Sequence, residues 1–373
     1  MTMRKSRPKI AVIGGGTGSH AILLGLKRHD VDIAAIVAMT DRGGSSGRLR
    51  DEFGHLPPGD VRQCLAALAP EEHGTLLLRQ LFSYRFARGS GLNGHSFGNL
   101  FITALVEITG RTDKAIEEAG KLLGIKGRVI PVTLSNTDLC ARLVDGTMIV
   151  GEHKLDVRRE KPDTPIDYVY LDPHVYVNPE AERAILDADA VVLGPGDLYT
   201  SLVANLVVDG VAQAIVSSNA TKIFVCNLAT KRGESDGFVA SDFLSVMLNY
   251  LGVEDALDVM LINSTQPAPR VRARYESEGS HVVDLDLESC QRLVPHVFAR
   301  PLASAGRYLR HDPDLLADAV LSAIGLGRGK RRIVSADSRP GSVVRLRGTL
   351  ENDGRNASAN RRRAGQRPNV LES

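Results

Sequence analysis

Residues 10–21, IAVIGGGTGSHA, constrain this chain more than any other stretch. Ile10, Ala11, Val12 and Ile13 have the character of a buried strand. Gly14, Gly15, Gly16, Thr17 and Gly18 interrupt it, and Ala21, Ile22, Leu24 and Leu26 resume at helical spacing. A strand that enters a helix through glycines aims free N–H groups and the helix's positive end at one point. That arrangement suits an anion, above all a phosphate. Residues 16–21 also fit G-x-G-x-x-[GA], the dinucleotide-fold fingerprint, which is weak evidence when it stands alone.

Later segments repeat the pattern. Residues 32–39 (DIAAIVAM) read as a second buried strand that ends at Thr40 and Asp41, where a dinucleotide fold places its ribose-binding acid. The segment TDRGGSSGRLRDEFG follows. Its Gly43, Gly44 and Gly47 allow close approach to a ligand, Ser45 and Ser46 offer hydroxyls, and Arg48 and Arg50 offer forks for phosphate oxygens. The competing reading is a plain Gly/Ser-rich surface loop. In LPPGDVRQCLAAL, Asp60 is placed to cap a helix that carries Val61, Cys64, Leu65 and Leu68 on one face. Arg62 stands in the first turn of that helix, against its dipole, and needs an anion: a ligand phosphate or a nearby carboxylate. His95, at a loop–helix junction, is open to a ligand or to a structural hydrogen bond. Ser96 is placed to cap a helix over 97–108.

Residues 190–193 form another buried strand, followed by Gly194, Pro195, Gly196 and Asp197 and then LYTS. Two such cradles fit a ligand with more than one phosphate, or with a phosphate and a sugar. A tight turn capped by Asp197 or Ser201 is the alternative. Further strands are expected at 222–227 and 257–263, and helices at 76–86, 112–123, from 179, 243–251 and 313–324. Asp145–Gly146 centres a hairpin, and 152–177 reads as decoration of the main sheet. Glu234, between glycines, could serve sugar hydroxyls or be a solvated loop carboxylate. Arg270, Arg272 and Arg274, with Tyr275, read as a loop or edge strand.

Composition narrows the class. A 43% apolar and 24% charged chain of 373 residues is ordinary for a globular protein with a large core. The absence of Trp disfavours stacking platforms for single-stranded nucleic acid. From Arg328 onward there are 12 Lys and Arg against 4 Asp and Glu, a charge of +8 that leaves −6 on the rest. An acidic body does not suit duplex binding. The four cysteines lie far apart without a C-x-x-C pair, as expected of reduced thiols. The apolar run after Arg4, Lys5, Arg7 and Lys9 is too short for a signal peptide, and no stretch is long enough to span a membrane. These readings lead us to expect a cytoplasmic protein with one α/β domain over 9–326 and a basic, disordered tail over 327–373.

GGGTGSHAILLGLK, TDRGGSSGRLR, LPPGDVRQCL, YRF followed by GHSFGNL, LGPGDLYTS and VCNLATKRGESDGF stand here in one characteristic order. In them the chain resembles the YvcK-type gluconeogenesis factors, a branch of the superfamily of the 2-phospho-L-lactate transferase CofD. The last motif separates that branch from the transferases. The resemblance implies a Rossmann-like three-layer α/β fold with a mostly parallel sheet and a small hairpin decoration. It implies a cytoplasmic UDP-sugar-binding regulator, with UDP-N-acetylglucosamine as ligand, no required cofactor and no resident metal. A role in cell shape and cell-wall precursor allocation under gluconeogenic growth goes with it. Cell-wall synthesis proteins and a second copy of the chain are the macromolecular partners to consider. The implied ligand contacts are Gly15, Gly16, Thr17 and Gly18; Asp41, Ser45, Ser46 and Arg48; Asp60 and Arg62; and Gly194, Pro195, Gly196 and Tyr199. His95 and Asn99, from GHSFGNL, join them.

Three positions depart from the family pattern: Arg42 replaces a second Asp, Gln63 an Asn, and Asp197 a Ser. The missing carboxylate weakens a metal-assisted phosphoryl transfer. Asp197 would repel a phosphate unless it faces a metal, a sugar or an amide. Two alternatives remain. One is a phospholactyl-type transferase with Mg²⁺ held by Asp41 and Asp60. The other is an NAD-dependent oxidoreductase, although the Gly/Ser/Arg segment after Asp41 would crowd an adenosine ribose.

Overall fold

The computed structural model describes residues 7–71, 73–158 and 162–327. Its strands are β1 (Lys9–Gly14), β2 (Asp32–Val37), β3 (Arg128–Pro131), β4 (Asp138–Leu143), β5 (Met148–Val150), β6 (Ile166–Asp172), β7 (Ala190–Leu193), β8 (Thr221–Val225), β9 (Val259–Asn263), β10 (His296–Arg300), β11 (Ala303–Ala305) and β12 (Leu309–His311). Seven of them form one parallel sheet in the order β10-β9-β8-β7-β1-β2-β3. The near-continuous apolar runs of β1, β2, β7, β8 and β9 are buried, as strands covered on both faces require.

Helices α1 (Gly16–Leu26), α2 (Gly44–Phe53), α3 (Gly59–Leu68), α4 (His73–Ser83), α5 (Phe97–Thr109), α6 (Thr112–Leu123), α7 (Glu152–Asp156) and α8 (Pro179–Leu186) occupy the first half. Around the sheet, α1 packs on α3 and on helix Pro313–Ala323, and α3 packs on α6. A second group packs α8 on Val211–Ser217, and that helix on Ala240–Leu251. The chain builds outward from β1 to β2 and β3. It then returns to the other side of β1 and builds β7 to β10 the opposite way. The order therefore reverses between β1 and β7. Ile10 lies beside Ala190 and Ile13 beside Leu193, so the two strands end level and their glycine loops emerge together.

Those loops pack on each other. Gly16 has a φ of 60°, which glycine adopts without strain. A Cβ on Gly18 would lie 2.2 Å from the Pro195 carbonyl oxygen, so only glycine lets the second loop rest against α1.

Several expectations meet a different outcome. Residues 44–53, for which a surface loop is the competing reading, are a helix: Leu49 and Arg50 are buried, and Gly54 ends the helix in a left-handed conformation. Residues 269–277 are also helical, opened by Pro269, so Arg270, Arg272 and Arg274 no longer share a strand face. Asp60 does not cap its helix; Pro58 holds the cap position and Asp60 lies in the first turn. The hairpin around Gly146 forms as β4–β5, and β6 completes an antiparallel three-stranded sheet. The tail expected to be disordered falls, from residue 328 onward, outside the described residues.

Candidate functional site

The two glycine loops open onto one cavity of about 1100 Å³. Gly15, Gly16 and Gly18 line it from the first loop, Pro195 and Gly196 from the second. It sits at the carboxyl ends of the strands where their order reverses, the usual ligand position in an open α/β sheet. Thr40 and Asp41 reach it from the end of β2, and Asp60 and Arg62 from the head of α3. Glu152 and Asp156 come from α7, and Asn227 follows β8. Tyr275, Tyr308 and His311 form a wall from the last third of the chain.

The head of α1 has no acidic side chain in its first turn and no side-chain cap among the described residues. Asp60 instead reaches over from α3, and the Gly16 backbone N–H favours its charged form. Burial pushes the Asp60 carboxyl up to about 7, and the negative charge of Asp41 works the same way. Glu152 is pushed up to about 8, again by burial first and then by Asp41 and Asp156. Asp41, Asp60, Glu152 and Asp156 thus line the cavity together, and two of them, Asp60 and Glu152, hold protons near neutrality. Arg62 and Arg310 are the arginines of the lining, and Arg62 stands at the head of α3. Its electrostatics are mixed: burial lowers the Arg62 pKa and Arg85 adds repulsion, the charges of Asp60 and Asp41 act the other way, and no carboxylate among the described residues lies close enough to form an ion pair with it.

Asp197 faces an ammonium. Lys231 lies 2.7 Å from Asp197 Oδ2 and 2.7 Å from Glu234 Oε1, and also pairs with Asp156. Burial works against its charge, but the three carboxylates outweigh that and hold Lys231 well above its ordinary value. Among the described residues, these three acids are the only group of three or more metal-ligating side chains close enough to share one ion. The lysine already lies between them. Glu234 is not a solvated loop carboxylate. It is 4% exposed and accepts from the Tyr199 N–H at 3.2 Å and from the Thr200 hydroxyl at 3.3 Å.

Of the residues singled out from sequence, Gly15, Gly16, Gly18, Asp41, Asp60, Arg62, Pro195 and Gly196 line the cavity. Gly194 precedes it and accommodates the turn with a φ of 88°. The Thr17 side chain lies outside the described ones. Tyr199 is 2% exposed and packs into the hydrophobic core. Arg48 donates to the Asn93 carbonyl at 3.0 Å, and Arg42 pairs with Asp138 and Asp51, so both turn away. Ser45, Ser46, His95 and Asn99 form a buried cluster behind Arg62, off the cavity lining.

Glu152, Asp156 and Lys231 escaped the sequence reading. Lys231 and Glu234 are three residues apart in ATKRGE, a spacing that could have signalled their pairing. Nothing local marks Asp156 as its partner.

Two glycine loops over a single cavity, at the order reversal of a parallel sheet, define a doubly wound α/β protein with its ligand site at the switch point. The chain belongs to the CofD family, described as 2-phospho-L-lactate transferase CofD, which matches residues 10–303, and within it to the YvcK-type gluconeogenesis factors. The gluconeogenesis factor of Halalkalibacterium halodurans is 39% identical over 318 residues, spanning 84% of this chain and 96% of that protein. The gluconeogenesis factor of Bacillus subtilis (strain 168) is 36% identical over 320 residues, spanning 85% and 98%. A crystal structure of a Bacillus halodurans protein aligns with a TM-score of 0.80 at 38% identity, covering 85% of this chain and all of that one.

Proposed function

We propose that this protein binds a UDP-sugar, with UDP-N-acetylglucosamine as the ligand, and acts in the cytoplasm as a regulator. In this reading it serves growth on gluconeogenic carbon, directing cell-wall precursors and so cell shape. The observation that carries the reading is the convergence of the two glycine loops and Arg62 on one cavity. N–H groups at a helix head, beside a guanidinium that forms no ion pair among the described residues, suit a diphosphate. The carboxyl groups that line the same cavity suit the hydroxyls of a sugar. The cavity is large enough for both parts.

A transferase would need a divalent ion at Asp41 and Asp60. Those two acids have no third metal-ligating side chain within sharing distance among the described residues, and Arg42 turns away to Asp138. The residues present do not fit that ion.

Titration calorimetry decides the matter. UDP-N-acetylglucosamine should bind at one site per chain, UDP more weakly, and NAD should fail to displace either. Displacement by NAD, or no heat with UDP-N-acetylglucosamine, would overturn the reading. Consumption of the ligand in the presence of Mg²⁺ would revive the transferase.

A further inference from the structure

We infer that Asn99 is a positioning residue that fixes the guanidinium of Arg62 toward the cavity, and is not itself a ligand contact. The inference rests on the reading of the cavity as a diphosphate site.

Arg62 Nε donates to Asn99 Oδ1 at 2.9 Å. This commits the inner nitrogen and leaves the two terminal ones, which meet no partner among the described residues, as the fork for a phosphate. The stem is held as well. A Cβ on Gly98 would lie 2.8 Å from Arg62 Cδ and 2.9 Å from its Cγ, so residues 98 and 99 together form the slot in which the arginine lies.

Asn99 is in turn prevented from rotating. It is 2% exposed, and its Nδ2 donates to Ser45 Oγ at 3.2 Å and to Ser46 Oγ at 3.3 Å. Its backbone N–H donates to Ser96 Oγ at 3.2 Å, and Ser45 Oγ shares a hydrogen bond of 3.1 Å with His95 Nδ1. A long, flexible cation at a helix head, where the dipole opposes it, needs such a hold to stay in place. The cluster therefore acts on the ligand through Arg62 alone.

A double-mutant cycle tests this: wild type, Asn99→Ala, Arg62→Lys and the double variant, titrated with UDP-N-acetylglucosamine and with inorganic pyrophosphate. Asn99→Ala should weaken both about tenfold in the wild-type background. It should add less than twofold in Arg62→Lys, because lysine has no Nε–H to place. Independent, multiplicative losses would overturn the inference and return Asn99 to direct contact. If wild type binds neither probe, the diphosphate reading fails, and the inference is judged on the free protein. The Arg62 Nε–H should give a protected resonance in arginine-labelled protein that Asn99→Ala abolishes; its persistence would overturn the positioning role. Asn99→Asp covers the case in which the alanine variant does not fold. It keeps an acceptor for Nε, so the resonance should stay while pyrophosphate binding still falls, the added charge now pairing with the guanidinium.

Discussion

Asp60 takes the place of an anion. Its carboxyl stands against the glycine loop at the head of α1, where a Cβ on Gly15 would lie 2.3 Å from Asp60 Oδ2. Burial raises its pKa from 3.8 to about 7. Between those values the folded protein keeps a proton that the unfolded chain has released, so stability falls as pH rises through that window. Asp60→Asn should therefore stabilise the free protein by about 2 kcal/mol at pH 8 and by almost nothing at pH 4, as read from urea unfolding. The affinity for UDP-N-acetylglucosamine should fall about tenfold between pH 6 and pH 9 without divalent ions, as Asp60 and Glu152 gain charge beside the diphosphate. A flat profile would show that neither carboxyl faces the ligand. At this scale the sequence was readable where the signal was local. Gly15, Gly16, Gly18 and Gly196 announce themselves by type, whereas the buried state of Tyr199 depends on a core that no single residue declares.

Among elements, Lys231 ties three together. It joins α7 through Asp156, the loop after β7 through Asp197, and its own loop through Glu234. Lys231→Met would leave Glu234 buried beside two further carboxylates. It should cost about 3–5 kcal/mol at neutral pH, and Lys231→Met/Glu234→Gln should recover much of that loss in guanidinium titrations. A loss below about 1 kcal/mol would mean that the cage is a loose surface pairing. The buried strands were legible because each is a continuous apolar run. The two edge strands were not: β3 is four residues ending in Pro131, and β10 is only half covered. Helix α2 was hidden by its Gly, Ser and Arg content, and Leu49, Arg50 and the left-handed Gly54 hold it in place. The lysine cage joins segments about 75 and 34 residues apart, so no window of sequence contains it.

On the scale of the whole molecule, the position of the cavity follows from the strand order. Hydrogen exchange with and without UDP-N-acetylglucosamine should slow at residues 14–18 and at 194–201 together, and leave the opposite ends of the strands unchanged. Protection of only one loop would mean that the cavity is not a single site. The β1–β7 pairing has a further consequence. Lys9 and Asp189, hydrogen-bonded neighbours at the start of those strands, are 180 residues apart in the chain. A growing polypeptide therefore has only one wall of the cleft until roughly half of it has been synthesised, and the far wall, with Tyr308 and His311, arrives later still. Under the proposed function, a nascent chain would have no complete cleft in which to hold a nucleotide sugar until both walls have been made.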